Sequence, residues 1–400
     1  MASTPSLRFE SQRSLTYRLI LSTLTGRQVH ISGIRPSSPT NPGLANHEIS
    51  FLRLLEAITN GSEITISYTG TTLLYRPGLI VGSATGSGVS GGVIRHEPPP
   101  GCVRGISYFL IPLCLLAPFS KSPVNVLFTG PGVITSATSA GDVSVDTVRT
   151  AVLPLFEQFG ISNNIELRIL RRSCAGPEGR GGAGEVQLIF SHQVRLPKTI
   201  HLMNPGKIKR VRGVAYCTGI SSANNARMIE AARGVLNFFI NDIYIFSDVS
   251  PAPFLPMTDG SNAGAKRRIG VGFGLSLIAE SSASVIYSAD VVSPPSGGQP
   301  PEIIGQRCAH QLLESVSLGG CVSPLGAPIM LTLMAMGSED VGRLQMSKGV
   351  IGTEEIIGLG RDLRRFGASG WGIRDGERDD GDVIVSVVGR GVGNVGRKVA

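Results

Sequence analysis

The fold is decided by the stretch IRPSSPTNPGLANHEISFLRLLEAITNGSEITISYTGTTLLYRPGLIVG, which occupies residues 34–82. An Asn-Pro-Gly turn precedes a segment in which apolar residues recur every three positions, and this spacing predicts an amphipathic helix. These apolar residues are Ile49, Leu52, Leu55 and Ile58. An Asn-Gly pair follows and is typical of a helix end. Two β-rich runs, at 63–68 and 71–75, then predict strands, so the unit is a helix laid on a small sheet.

A similar order of elements occurs twice more along the chain. The predicted elements of the second unit are a strand, a helix and two strands, at 124–129, 143–159, 165–170 and 185–190. Those of the third are two extended segments, a helix and a strand, at 329–336, 343–346, 353–366 and 383–388. The pattern therefore predicts three related helix-on-sheet units.

The segment 206–292 interrupts this order. Its predicted elements are a strand, a helix and three strands, at 211–216, 223–241, 242–246, 269–279 and 284–289. One apolar face of the helix is expected to comprise Met228, Ala232, Val235 and Phe239. We therefore predict an α/β (α+β) protein with three repeated units in a large domain and a smaller inserted α/β domain. The expected division is 1–205 for units one and two, 206–292 for the insert and 293–400 for unit three.

The composition is that of a basic globular protein. The 400 residues include 37 Lys and Arg against 29 Asp and Glu, so the net charge is +8. This excess favours a polyanionic neighbour such as RNA, although many basic proteins bind no nucleic acid. The six cysteines form no Cys-x-x-Cys pair and have no histidine at ligand spacing, so no metal site is predicted. Nothing in the polar first residues indicates secretion or membrane insertion.

Short motifs spread along the chain carry a family resemblance. They are SFLRLLE, TNGS, YTGT, LAPFSK, GAGEV, GVAY and EDVGRL, at 50–56, 59–62, 68–71, 116–121, 182–186, 213–216 and 339–344. By these motifs the chain resembles the RNA 3'-terminal phosphate cyclase superfamily, and within it the eukaryotic cyclase-like branch. The resemblance implies three repeated units about a pseudo-threefold axis, with an insert that interrupts the last unit.

The resemblance also implies a function. Members of this branch are expected to be non-catalytic assembly factors of the small ribosomal subunit precursor. The expected partners are a nucleolar GTPase, pre-rRNA and components of the small-subunit processome, and the expected outcome is maturation of 18S rRNA. The expected location is the nucleus, within the nucleolus, and no cofactor is expected.

Cyclase activity is not expected, because the residues that its chemistry needs are replaced. Cyclases form a covalent AMP adduct on a histidine, and the corresponding position here is Val350, which cannot act as a nucleophile. Cyclases also begin with a Gly-Gly-Gly-Gln-Ile-Leu-Arg type of segment, whereas this chain has ESQRSLT at 10–16. Of the arginines expected to bind anions, only Arg35 is kept.

An RNA-cleaving enzyme is the alternative hypothesis. Its best candidate residues are Arg361, Asp362 and Arg364, on the helix predicted at 353–366. Arg361 and Arg364 should share one face, with Asp362 about 100° away. The competing interpretation is an ordinary solvated helix end, where basic residues are favoured by the helix dipole.

A basic cluster supplies the candidate binding residues, which are Lys207, Lys209, Arg210 and Arg212. Strand alternation would place Lys207, Lys209 and Val211 on one face and Ile208, Arg210 and Arg212 on the other. The cluster is interpreted either as a docking edge for an acidic or extended peptide, or as a ridge that contacts phosphates. A simple solvated surface remains the third interpretation.

Overall fold

The computed structural model describes residues 6–83, 92–162, 164–191, 193–194, 197–256, 266–376 and 381–392. The elements of unit one are β1 (Leu7–Glu10), α1 (Leu15–Thr25), β2 (Val29–Ser32), α2 (Asn46–Ile58), β3 (Thr59–Asn60), β4 (Glu63–Ile66), β5 (Leu73–Arg76) and β6 (Leu79–Ile80). The predicted helix is confirmed by α2, which buries Leu52, Leu55 and Ile58.

Unit two has the helix that the sequence predicts at 143–159, but in three successive pieces. Its elements are β7 (Ile94–His96), α3 (Ser107–Leu116), β8 (Val124–Phe128), α4 (Val145–Thr147), a π-helical turn (Val148–Val152), α5 (Leu153–Gln158), β9 (Ile165–Arg171) and β10 (Glu185–Phe190). Short 3-10 turns follow α3 (Ala117–Phe119) and precede β10 (Pro177–Gly179).

The insert follows β11 (His201–Leu202). Its elements are β12 (Ile208–Thr218), α6 (Ala223–Leu236), β13 (Ile243–Ser250), β14 (Phe254–Pro256), β15 (Lys266–Arg268), β16 (Gly272–Ser281) and β17 (Ile286–Val292), and α7 (Pro301–Ser317) comes next. The sheet has the order β13-β12-β16-β17, and α6 and α7 pack together on one face of it.

The predicted extent of the insert's helix was wrong at its end. The helix α6 ends at Leu236, where the expected end was 241. Met228, Ala232 and Leu236 fill the buried face, and the backbone N–H of Phe239 then turns back to the carbonyl of Leu236 at 3.0 Å. Phe239 is 69% exposed and is not part of the apolar face.

Unit three contains one clear correction. Its further elements are α8 (Ala327–Met336), β18 (Val341–Ser347), α9 (Lys348–Ile351), α10 (Glu354–Arg365), β19 (Gly372–Asp375) and β20 (Asp382–Val388). The segment 329–336, predicted to be extended, is helical and buried on all sides in α8. A short apolar run does not distinguish a buried strand from a buried helix, whereas Pro328 in the first turn is a helix-start signal.

Three sheets share one pairing pattern. Their orders are β1-β2-β5-β4, β7-β8-β10-β9 and β11-β18-β20-β19. In each, the first two strands are parallel and the other neighbours are antiparallel. The predicted α/β class is therefore confirmed. Because β11 precedes the insert and pairs with β18, the insert interrupts the third unit.

The domain boundaries at 205 and 292 remain a proposal. The helix α7 begins after 292 but packs on α6, β16 and β17, so the layer over the insert's sheet continues beyond that boundary. Among the described residues, no helix is both long enough and apolar enough to cross a membrane.

Candidate functional site

A cleft of about 860 Å³ lies where the three units meet. Its walls come from the first turns of α1 and α2, from α3, from the loop before α4 and from the start of α8. The α8 wall is apolar, with Leu325, Pro328 and Ile329. The cleft also contains two arginines, Arg35 and Arg104, and their partners determine what it can bind.

Arg35 is held by its own unit. Its guanidinium forms an ion pair with the carboxylate of Glu48, and its Nε donates to the carbonyl of Gly43 at 2.9 Å. Glu48 also accepts the backbone N–H of Ala45 at 2.7 Å, so it caps the start of α2 at the same time. The one arginine that the sequence identified as a retained anion ligand is therefore neutralised.

Arg104 is held in the same way by Asp142. Its Nε and Nη2 donate to the two carboxylate oxygens at 2.8 and 2.5 Å. Asp142 also accepts the backbone N–H of Gly105 at 2.7 Å and the hydroxyl of Thr138 at 3.0 Å. The guanidinium carbon lies 4.4 Å from the centre of the Tyr108 ring. This network fixes Arg104 as a wall of the cleft.

His47 also lines the cleft, and the sequence reasoning did not single it out. Its ring meets the Tyr108 ring edge-on, with the centroids 5.2 Å apart. Burial lowers the pKa of His47, the neighbouring Glu48 acts in the opposite direction, and the charges of Arg104 and Arg35 lower it further. No motif marks this histidine; only the packing of α2 against α3 places it here.

The family resemblance aligns Val350 with the nucleophile of the cyclases. It lies in the short helix α9 and is only 3% exposed. Its carbonyl accepts the Thr353 hydroxyl at 2.8 Å, just before α10 begins. The side chain belongs to the apolar core, and it cannot form a bond to phosphorus.

The segment before α1 keeps a glycine-like backbone without glycine. Ser11 has φ 64° and Ser14 has φ 52°, in the left-handed region that L-residues seldom adopt. Thr16, at the place where an arginine was expected, donates to the Tyr108 hydroxyl at 3.3 Å. The chain path of a glycine-rich segment is thus present, while an arginine is absent from position 16.

The three residues of the alternative site do not act as one group. Arg361 and Arg364 are exposed, as the helical spacing predicts. Asp362 is 5% exposed and accepts a hydrogen bond from Nε of Arg18 in α1 at 2.8 Å. The structure therefore places Asp362 in a contact between units and leaves the two arginines outside it.

The predicted alternation in the basic cluster was wrong for Ile208, whereas Arg210 and Arg212 lie opposite Val211 as predicted. The pairing of β12 with β16 shifts register between Ile208 and Arg210, so Lys209 lies at a β-bulge. Ile208 consequently shares the face of the buried Val211, whereas Arg210 and Arg212 lie on the other face. One extra residue in the strand reverses the side-chain order, which pattern reasoning alone does not detect.

Two of the four basic side chains already have acidic partners. Arg210 donates to both oxygens of Glu280 at 2.8 Å. Arg212 donates to the two oxygens of Asp242 at 2.7 and 2.8 Å. These bidentate pairs occupy the donors that would otherwise contact a phosphate or a carboxylate.

Lys207 and Lys209 differ from the two arginines. Both are exposed, and in the described part of the chain no ion pair is seen for either. Over 211–218, β12 lies between β13 and β16, so the docking-edge interpretation fails for that part of the strand. Of the four basic side chains, the two lysines are therefore those without a described acidic partner.

The part of the chain that the structure covers contains no candidate metal site. No group of three or more His, Cys, Asp or Glu residues in the described ranges is arranged to hold a metal ion. The cysteines are unpaired and buried, and burial raises the pKa of Cys114 and Cys174 to about 12.

Comparison with known proteins identifies the family to which this fold belongs. Residues 7–361 match the model of the RNA 3'-terminal phosphate cyclase family, and the chain belongs to that family. It is similar to the rRNA processing protein rcl1 of Schizosaccharomyces pombe, with 37% identity over 98% of both chains. It is 41% identical to the human RNA 3'-terminal phosphate cyclase-like protein, over 85% of this chain and 83% of the relative. The rRNA processing protein RCL1 of Saccharomyces cerevisiae is 35% identical over 98% of this chain and 97% of its own.

Proposed function

We propose that this protein acts in rRNA processing as a non-catalytic assembly factor of the small ribosomal subunit precursor. It would bind a nucleolar GTPase, pre-rRNA and other small-subunit processome components, and support the maturation of 18S rRNA in the nucleolus. The names of relatives that align with nearly the whole chain support the process. The net charge of +8 suits an RNA-rich assembly.

The proposal that the protein is non-catalytic rests on the pairing of the two cleft arginines and on the residue at position 350. Phosphoryl chemistry needs a nucleophile and cationic groups that stabilise the charge on phosphate. Here Val350 is buried in the core, and Arg35 and Arg104 are each neutralised by a carboxylate. With both arginines paired to carboxylates, the cleft offers a phosphoryl group no free guanidinium.

The proposed binding residues are Lys207, Lys209, Arg210 and Arg212. The two lysines would make the direct contacts, because they are exposed and carry no described ion pair. Arg210 and Arg212 would fix the local strand geometry through Glu280 and Asp242. RNA phosphates and acidic side chains of a partner protein are both compatible with these charges.

We do not propose the RNA-cleaving alternative. Its carboxylate, Asp362, is engaged by Arg18, so it is not available to move a proton in a surface site.

The test uses the purified full chain in two parallel reactions. In the first it is incubated with labelled ATP, and in the second with a labelled pre-rRNA fragment that spans the cleavage site upstream of 18S rRNA. The expected result is no AMP adduct and no cleavage, together with saturable RNA binding. A protein-bound AMP, or cleavage that Arg361→Ala and Arg364→Ala abolish, would overturn the non-catalytic proposal.

A further inference from the structure

Exposed aromatic residues are concentrated in one place on the insert. Phe238, Phe239, Tyr244 and Phe246 are 85%, 69%, 60% and 54% exposed. They lie within nine consecutive residues, just after α6 and along β13. Large exposed patches of neighbouring apolar and aromatic residues are typical of surfaces that bind another molecule.

The strand β13 is an unprotected sheet edge. In the described part of the chain it pairs only with β12, through eight consecutive residues without a bulge. Its sequence, IYIFSDVS, contains no proline and no lysine, the residues that usually protect an edge. Its single charge, Asp248, is held by Arg172 at 2.5 Å. A long apolar edge of this type readily accepts another strand.

The outward backbone groups of β13 can be identified. Val211 N–H donates to the Asp242 carbonyl, and Gly219 N–H donates to the Ser250 carbonyl, so alternate residues between them face β12. The intervening residues turn their N–H and C=O groups to the open side. The side chain of Arg233 donates a hydrogen bond to the carbonyl of Ile243. The outward backbone groups that an added strand could use are therefore those of Ile245, Ser247 and Val249.

Side-chain sites lie on both faces of this edge. On one face lies a groove of about 650 Å³ between α6 and β13, lined by Ala226, Ile229, Gly234 and Ile245 together with the polar residues Glu230, Arg233 and Asn237. On the other face, Tyr244 and Phe246 are exposed, since they alternate with Ile245 along the strand. An added strand would place alternate side chains in the groove and against the two rings.

Exposed basic residues lie near both ends of β13 and favour an acidic binding partner. Lys207 and Lys209 are exposed near its start, and Lys266, Arg267 and Arg268 are exposed beyond its end. Two copies of this chain would bring basic groups together, whereas an acidic segment would be attracted at both ends. The outward N–H and C=O groups alternate at strand spacing, and the backbone of an extended peptide presents the matching donors and acceptors, which favours a peptide over RNA.

We propose that β13 is a docking edge for an extended segment of a partner protein, with aliphatic residues at alternate positions and acidic residues at both ends. The added segment extends the insert's sheet by one strand. This inference rests on the proposed function, because an assembly factor works by holding partners. It specifies where and how one of them binds.

The test begins with selection of short random peptides, displayed on phage, against the full chain. Enriched sequences are expected to show alternating aliphatic residues with acidic flanks, and their synthetic forms should bind saturably in fluorescence anisotropy. Hydrogen exchange should slow at Ile245, Ser247 and Val249 when the peptide binds. These three amides are the ones that an added strand would cover.

Two variants address different parts of the edge. Val249→Pro removes an outward N–H, which edge strands tolerate, and Phe246→Ser removes an exposed ring. Each should weaken peptide binding about tenfold, as is usual for a central interface residue. Tyr68→Ser is the matched control, since the Tyr68 side chain is exposed but lies in the turn between β4 and β5 of unit one, and it should leave binding unchanged.

Three results would overturn the docking edge. The first is that no peptide is enriched, or that Val249→Pro and Phe246→Ser bind as the unaltered chain does. The second is binding of a single-stranded oligouridylate that depends on Phe246 without any peptide binding, which would assign the surface to RNA. The third is a dimer in sedimentation velocity that Val249→Pro dissociates. If pre-rRNA binding persists in any of these cases, only the docking edge fails and the proposed function stands.

Discussion

Arg18 and Asp362 join the first and third units through a hydrogen bond of 2.8 Å between Nε and Oδ2. The two residues are 344 positions apart, and both side chains are largely buried. The guanidinium of Arg18 also lies 4.5 Å from the centre of the Phe9 ring, which stacks on Phe366. The helix α1 is thereby fixed to α10, the helix that carries the alternative catalytic residues.

Loss of one partner of this pair should destabilise the fold. Asp362→Ala leaves the guanidinium of Arg18 without a counter-charge in a poorly solvated place, at a cost of about 3 kcal/mol. Arg361→Ala, an exposed change on the same helix, should cost no more than about 0.5 kcal/mol. Urea denaturation of both variants measures the difference.

The double variant Arg18→Met with Asp362→Leu provides the control, because it replaces the pair with apolar groups and should recover most of the loss. Equal stability of Asp362→Ala and Arg361→Ala would contradict a structural role for this carboxylate.

Ser11→Gly should stabilise the protein. Ser11 has φ 64°, a conformation that costs an L-residue roughly 1 kcal/mol and costs glycine little. Part of the gain is offset by the greater freedom of glycine in the unfolded chain, so the expected net effect is about 0.5 kcal/mol. Thermal unfolding should show a higher Tm for Ser11→Gly. Ser37→Gly, at an exposed serine without positive φ, should lower it instead.

Asp290 should make stability depend on pH. Burial raises the pKa of this carboxyl from 3.8 to about 6, with the nearby Asp146 carboxylate acting in the same direction. The ionised form is thus disfavoured in the folded state. The ionised carboxylate therefore lowers the free energy of unfolding by its full amount above about pH 6, and this loss of stability disappears as the pH falls below 3.8.

Asp290→Asn should therefore raise the free energy of unfolding at neutral pH, by at most about 3 kcal/mol. An amide oxygen can still accept the Ser144 N–H and the Thr147 hydroxyl that the carboxylate accepts at 2.6 and 2.7 Å. Urea denaturation from neutral pH to about pH 4 should show the gap closing. A gap that stays constant would contradict the role of ionisation, and Glu56→Gln, at an exposed site without a described ion pair, should show no gap.

Local signals in the sequence were sufficient for much of the fold. The helix α2 and the strands β8, β9, β10 and β20 follow from spacing and turn residues that lie within each segment. The helix α8 did not follow, because a run buried on all sides carries no periodicity. The end of α6 was missed for a related reason, since an exposed Phe239 has the same spacing as a buried one would have.

The site depended on contacts that spacing does not encode. The replacement of the nucleophile by Val350 was inferred from the family resemblance and stays a prediction, and the structure shows the Val350 side chain in the apolar core. The neutralisation of Arg104 by Asp142, 38 positions away, has no local signal. The bulge at Lys209 changed the faces of the basic cluster, because it arises from pairing with β16 and not from the strand's own sequence.

The lysines and the arginines of the basic cluster should differ in their effect on RNA binding. Lys207→Gln and Lys209→Gln should each reduce the salt dependence of RNA binding, by about one unit of slope for each lost phosphate contact. Arg210→Gln should change the slope less, because the donors of Arg210 are occupied by Glu280. Filter binding of a pre-rRNA fragment over a range of salt concentrations gives the slopes. Identical slopes for all three variants and the unaltered chain would remove the cluster from the RNA interface.

Val350→His should fail to restore cyclase chemistry. The new imidazole would lie in the apolar core, where an unpaired polar group costs about 1–3 kcal/mol, so the variant should unfold more readily. Even in the folded fraction, Arg35 and Arg104 would remain bound to Glu48 and Asp142, and phosphate would find no free guanidinium in the cleft. Incubation with labelled ATP should therefore give no acid-labile AMP adduct. Val341→His, at an exposed position, is the control for the stability effect. An AMP phosphoramidate in Val350→His would mean that the cleft still binds nucleotide productively, and that only the nucleophile had been lost.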